Sequence, residues 1–172
     1  KTIKAKGRIA EGLERRLREE KQLEAVAGIG HTRWATHGEP SDINSHPIGN
    51  GRVSVVHNGI IENYRKVKDF LISKGYGFES QTDTEAVAKL LDYHYDGDPV
   101  ETIIKTIGEI TGAYALGIIF REHKNKIYAV RKESPLIVGK GKGEMFIASD
   151  ITAILEHTRE YYYLEPGEIA EI

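Results

Sequence analysis

The hydrophobic pattern of this chain changes period twice, and that change limits its fold more than any other feature. Helical spacing is confined to its first two thirds. Over 61–74, Ile61, Tyr64, Val67, Lys68 and Leu71 recur every three or four positions, and Gly75 stands where a C-terminal stop belongs. Thr82, followed by Glu85, forms a Thr-x-x-Glu capping box that predicts a second helix start. Asp98 predicts a third, with Pro99 in its first turn and Ile103, Ile104 and Ile107 as its buried stripe. A charged surface helix over 9–23, with Ile9, Leu13, Leu17 and Leu23 as its apolar positions, precedes them. Strand-like runs lie on both sides of the central helices, at 25–31, 53–57, 113–120, 126–130, 136–138, 145–148, 161–164 and 168–172. Strands, helices and strands again predict a layered α+β fold.

With no linker, repeat or low-complexity tract, residues 1–172 read as one domain. A fold of this length hides about 70% of its unfolded surface. The 40% hydrophobic and 29% charged composition is that of a folded, soluble chain. A basic strand-like start over 1–8 and a strand pattern still running at Ile172 predict a domain cut from something larger. The net charge of -2 offers no basic field for nucleic acid. The apolar stretch 113–120 is far short of the ~20 residues a membrane helix needs, and no leader pattern opens the chain, so cytoplasm is the expected address. There are no cysteines, which removes disulfides and thiolate metal sites, and the seven histidines lack metal-ligand spacing. Neither a metal nor another cofactor is expected.

Chemistry concentrates in a loop-like segment, Gly30-His31-Thr32-Arg33-Trp34-Ala35-Thr36-His37-Gly38, which has neither helical nor alternating pattern. The planar guanidinium of Arg33 matches a carboxylate with two parallel donors, which suits the α-carboxylate of an amino acid, and Trp34 has the size of a lid. Taken alone, each has a plainer explanation: Arg33 pairing with a surface glutamate, and Trp34 filling core. His57-Asn58-Gly59 contains the Asn-Gly hairpin signal, but a helical period follows it, so the pattern is strand, Asn-Gly, helix. In that geometry the Asn58 amide and the Gly59 N–H point outward beside a helix N-terminus, as two donors of an oxyanion hole. Asp83, in the first turn of its helix, is accounted for by the helix dipole without any ligand. Gly139-Lys140-Gly141-Lys142-Gly143 fits no phosphate-loop spacing and reads as a hairpin turn.

Three segments taken together, His31-Thr32-Arg33-Trp34-Ala35-Thr36-His37-Gly38, Val56-His57-Asn58-Gly59-Ile60-Ile61-Glu62-Asn63 and Thr82-Asp83-Thr84-Glu85, resemble the glutaminase domain of the glutamine–fructose-6-phosphate aminotransferases, a class II glutamine amidotransferase. Asn44-Ser45-His46-Pro47, Gly112-Ala113-Tyr114, Ser134-Pro135-Leu136, Phe146-Ile147-Ala148-Ser149-Asp150 and Leu164-Glu165-Pro166-Gly167-Glu168-Ile169-Ala170 extend the resemblance from Gly28 to the last residues. It implies an N-terminal-nucleophile hydrolase, an αββα sandwich in which a terminal cysteine attacks the amide of L-glutamine. It further implies that Arg33 holds the substrate carboxylate, Asp83 its ammonium, and Asn58 and Gly59 the oxyanion. Thr36 and His37 would line the site and Trp34 would close over it and gate ammonia. No role follows for His46.

The departures from that family carry their own expectations. The leading cysteine and the strand and helix after it have no counterpart here, so this chain taken alone is expected to be inactive. The isomerase domains that handle the sugar phosphate, and through which a homodimer would form, are likewise outside it. Two other readings stand beside this one: a glutaminase serving another acceptor half, and a non-catalytic glutamine-binding module.

Overall fold

The computed structural model describes residues 1–20, 25–33, 38–49 and 51–172. The central helical period becomes α2 (Tyr64–Ser73), α3 (Asp83–His94) and α4 (Pro99–Glu109). A shorter α1 (Leu13–Glu19), with no buried residue, stands where the surface helix was expected; positions 21–23 of that expectation lie outside the described residues. α2 ends in a Schellman motif: Gly75 takes φ 90° and donates to the Ile72 carbonyl, while Tyr76 donates to that of Leu71. α4 starts as the sequence predicts, with the Asp98 carboxylate accepting from the N–H groups of Val100 at 2.8 Å and Glu101 at 3.1 Å.

Two helical expectations are corrected. Thr82 occupies the N-cap of α3 but makes no side-chain cap bond. Glu85 turns instead to the chain before the helix and accepts from Glu79 N at 2.9 Å and from the buried Ser80 N at 2.6 Å, so its carboxylate is engaged by donors other than the N-cap N–H. In α4 Ile104 is 46% exposed, since a helical step of about 100° turns it away from buried Ile103. Thr102 and Thr106 fill the inner face in its place, and each hydroxyl is satisfied by the carbonyl four residues back, Asp98 and Thr102 respectively.

The strands are β1 (Ile48–Gly49), β2 (Val53–Ile61), β3 (Gly112–Phe120), β4 (Tyr128–Lys132), β5 (Ile137–Lys140), β6 (Met145–Ala148), β7 (Tyr161–Tyr163) and β8 (Ile169–Glu171). They form a five-stranded sheet in the order β1-β2-β3-β4-β8 and a three-stranded sheet in the order β6-β5-β7, with every pair antiparallel. The glycine-rich segment 139–143 is the expected β5–β6 hairpin, closed by Gly141 N donating to Glu144 O at 2.9 Å. The strand expected over 25–31 is absent: Gly28 and Gly30 contribute no side chain to a pleated surface, and the segment joins no ladder.

Strand parity builds the layers. In β3, Tyr114, Leu116, Ile118 and Phe120 enter the main core with Leu71, Leu90, Leu91 and Ile103 of the helices. Ala115, on the opposite face, joins Ala129, Leu136 and Ile147 between the two sheets. Gly117 belongs to that second face, where a Cβ would crowd Ile147 and Val56. The smaller sheet can therefore approach closely. On its outer side, the 3₁₀ turn Ile151–Ala153 leads to Ile154 and Thr158 against Gly139, and His157 stacks on Phe146. Among the described residues no helix is long and apolar enough to cross a membrane. Replacing Asp98 by Ala should lower the unfolding free energy by about 1 kcal/mol, the usual loss for an N-cap carboxylate, measured by urea denaturation at pH 7; an unchanged midpoint would contradict this account of α4.

Candidate active site

His57-Asn58-Gly59 does not sit at the end of its strand, as the sequence pattern suggested. β2 continues through it to Ile61, with Asn58 opposite Ala115 and Gly59 opposite Tyr114. Nine residue pairs with β3 hold the strand past the point where local signals predict a turn. Gly59 has φ 118°, and a Cβ there would run into the Ala113 carbonyl oxygen, so only glycine fits. The helix terminus beside these residues is that of α3, not of the following α2, whose N-cap Asn63 is occupied with Glu109 O and Thr111 N.

A cavity of about 340 Å³ is lined by Arg33, Asn58, Gly59 and Asp83, with His31, Thr32, His46, His57, Ile60, Thr82 and Thr84 completing its wall. Four residues separated by up to fifty positions in the chain thus meet around one space. Arg33 is tethered by the backbone carbonyls of Gly38 at 3.0 Å and Glu39 at 3.4 Å. Asp83 is buried, and its Oδ2 accepts from Ile61 N at 2.8 Å, tying the start of α3 to the end of β2. Its Oδ1 lies 3.9 Å from His57 Nδ1. Trp34, Thr36 and His37 lie outside the described residues.

A histidine cluster forms the floor, which the motifs did not reveal. His31 stacks on His46 with ring centroids 4.4 Å apart and planes at 22°. His46 Nδ1 accepts from the backbone N–H of His57 at 3.1 Å, so its neutral ring carries the proton on Nε2, facing Thr84 Oγ1 at 3.4 Å. His57 Nδ1 pairs with the same Thr84 hydroxyl at 3.0 Å, and His31 Nε2 meets Asn58 Oδ1 at 2.7 Å. The sequence signal for this cluster is that each of the three histidines stands within a recognised motif, with nothing in the spacing to bring them together. Among the described residues no group of three or more His, Asp or Glu side chains could hold a metal ion.

The chain matches the model of a family described as a glutamine amidotransferase domain, over residues 31–156. It is 57% identical to the glutamine–fructose-6-phosphate aminotransferase (isomerizing) of Caldanaerobacter subterraneus subsp. tengcongensis, over 98% of this chain and 28% of that protein. The protein of the same name from Clostridium tetani is 54% identical, again over 98% and 28% of the two chains. The chain therefore spans a little over a quarter of the length of these relatives. Among solved structures it resembles the glutamine phosphoribosylpyrophosphate amidotransferase of B. subtilis, complexed with ADP and GMP, with TM-score 0.68 and 26% identity. A structure described as the allosteric regulatory enzyme of purine biosynthesis gives TM-score 0.70 and 26% identity; each likeness covers 83% of this chain and 32% of the other. The α+β architecture is that of the N-terminal-nucleophile amidotransferases.

The wall of the cavity has a measurable electrostatic signature. Burial lowers the pKa of His46 from 6.5 to about 3, and repulsion from the neighbouring cationic groups, Arg33 and Lys4 among them, pushes the same way. In the unfolded chain the ring takes up a proton below about pH 6.5, which the folded state refuses until near pH 3. This site's stabilisation is therefore complete above pH 6.5 and is lost as the pH falls toward 3. Unfolding free energies measured between pH 6 and about pH 4 should fall with a slope steeper in the parent than in His46→Gln by about 1 kcal/mol per pH unit. Equal slopes would contradict the burial of a neutral ring.

Proposed function

Since the chain belongs to the glutamine amidotransferase domain family, we propose that it is the glutamine-hydrolysing part of an enzyme that makes glucosamine 6-phosphate from fructose 6-phosphate. The observation that carries this proposal is the single cavity bordered by Arg33, Asp83, Asn58 and Gly59. Its volume lies at the lower end of the roughly 300–1,000 Å³ usual for small-molecule sites, which suits a free amino acid. Arg33 takes the α-carboxylate of glutamine through its planar donors, and Asp83 faces the α-ammonium with Oδ1, its other oxygen being held by Ile61. The side-chain amide then reaches Asn58 and Gly59, whose donors receive the negative charge that develops on its oxygen. From the family resemblance alone, Thr36, His37 and Trp34 are assigned to the same substrate.

The 172 residues contain no cysteine, so the nucleophile is assigned to a cysteine on polypeptide outside them. Its thiolate sulfur attacks the amide carbon and forms a tetrahedral oxyanion. Collapse expels the nitrogen as ammonia after it gains a proton, and leaves a γ-glutamyl thioester. Water adds to the thioester, and glutamate leaves as the thiol is restored. The ammonia serves a sugar-phosphate site on a further domain, in a cytoplasmic enzyme that assembles as a homodimer. The higher identity to the fructose-6-phosphate enzymes than to the phosphoribosylpyrophosphate enzyme supports this choice of acceptor.

In the cysteine-bearing enzyme, Asn58→Ala should lower kcat for glutamate release by about 10²–10³ and leave KM nearly unchanged, whereas Arg33→Ala should act mainly on KM. The isolated 172-residue chain should release no glutamate from glutamine. Hydrolysis by that chain, or an Asn58→Ala enzyme of parental kcat, would overturn the proposed chemistry.

A further inference from the structure

We propose that His31 is a positioning residue that sets which end of the Asn58 amide faces the substrate cavity. This deepens the glutaminase reading and rests on it. An asparagine amide is nearly symmetric in shape but opposite in polarity at its two ends: Nδ2 stabilises a developing oxyanion, whereas Oδ1 repels it. Something must therefore hold the amide in one of its two orientations.

His31 is placed to do so. Its Nε2 lies 2.7 Å from Asn58 Oδ1, and because that oxygen only accepts, Nε2 must carry the proton. His31 Nδ1 is buried and has no hydrogen-bond partner among the described residues, so a proton there would be an unmet donor. The Nδ1–H tautomer would also set a lone pair of Nε2 against Asn58 Oδ1, and that conflict would be relieved only by turning the amide over. The Nε2–H tautomer thus presents Nδ2 to the cavity, and the other tautomer would present oxygen.

The ring that carries this proton is itself held. His46 stacks on it at 4.4 Å, and His46 is fixed by the backbone N–H of His57, the residue directly before Asn58. The support is therefore anchored, through the His57 N–H, to the strand that carries Asn58. Neither His31 nor His46 needs to touch the reacting atoms.

Two measurements separate this role from packing. Long-range ¹H–¹⁵N correlation on the 172-residue chain should show His31 protonated at Nε2 and bare at Nδ1; the opposite pattern overturns the proposal. In the cysteine-bearing enzyme, His31→Leu should lower kcat for glutamine hydrolysis by about 10²-fold with KM changed less than about twofold, as expected for loss of an oriented oxyanion donor. His31→Gln keeps a donor for Oδ1 and should recover most of that loss, which also shows that the fold survives substitution. A His31→Leu enzyme of near-parental kcat, or a His31→Gln enzyme as slow as His31→Leu, overturns the role. A parent enzyme that cannot hydrolyse glutamine while His31 shows the Nε2–H tautomer would overturn the proposed reaction, and the catalytic part of this inference with it.

Discussion

The pairing of β2 with β3, from Val53 opposite Phe120 to Ile61 opposite Gly112, is the constraint on which the other features depend. Successive residues of a strand point to opposite faces, so this register decides which side chains meet the helices and which meet the second sheet. It sends Val53, Val55, His57 and Ile61 toward the helical layer, and Val56 toward the sheet interface. A slip of one residue would exchange the two sets. The buried His57 would leave Thr84 and Asp83, and the cluster against α3 would come apart.

Two devices join the helical layer to this strand at the cavity. The bond from Ile61 N to Asp83 is made by a carboxylate in the first turn of α3, where the helix dipole favours negative charge. That dipole is the whole explanation of Asp83 available from its position in the sequence, yet the same group also borders the cavity and holds the strand end. Its two oxygens are used separately, Oδ2 by the Ile61 N–H and Oδ1 on the side of His57, 3.9 Å away. Thr84, one residue on, receives both His46 and His57, so a single helix turn organises a wall drawn from two other parts of the chain.

Features decided within a few residues were legible in the sequence. The Asp98 cap, the Gly75 stop and the 145–148 strand depend on local backbone geometry and on short-range alternation. Two of the misses share a different cause, in which a tertiary partner outweighed a local preference. Glu85 abandoned its capping box for the donors of Glu79 and Ser80, and Asn58-Gly59 stayed in the ladder because β3 offered partners throughout. The candidate site divides the same way. Arg33, Asn58, Gly59 and Asp83 stand in motifs that a reader can recognise, whereas the contacts of His31, His46 and His57 join residues up to 38 positions apart that no periodicity connects.

Those histidines also explain how a site with so many polar groups can be packed tightly. Three imidazoles could repel one another if charged, but burial keeps His46 neutral to about pH 3, so the ring stacked between the other two acts as an apolar plate with one acceptor and one donor. Its acceptor is used by the strand backbone and its donor is directed at Thr84. A phenylalanine would stack as well but would leave the His57 N–H buried without an acceptor, and a lysine would bring charge into the cluster. Histidine in its neutral form meets both demands, which ties the electrostatics of the cavity wall to the strand that carries Asn58 and Gly59.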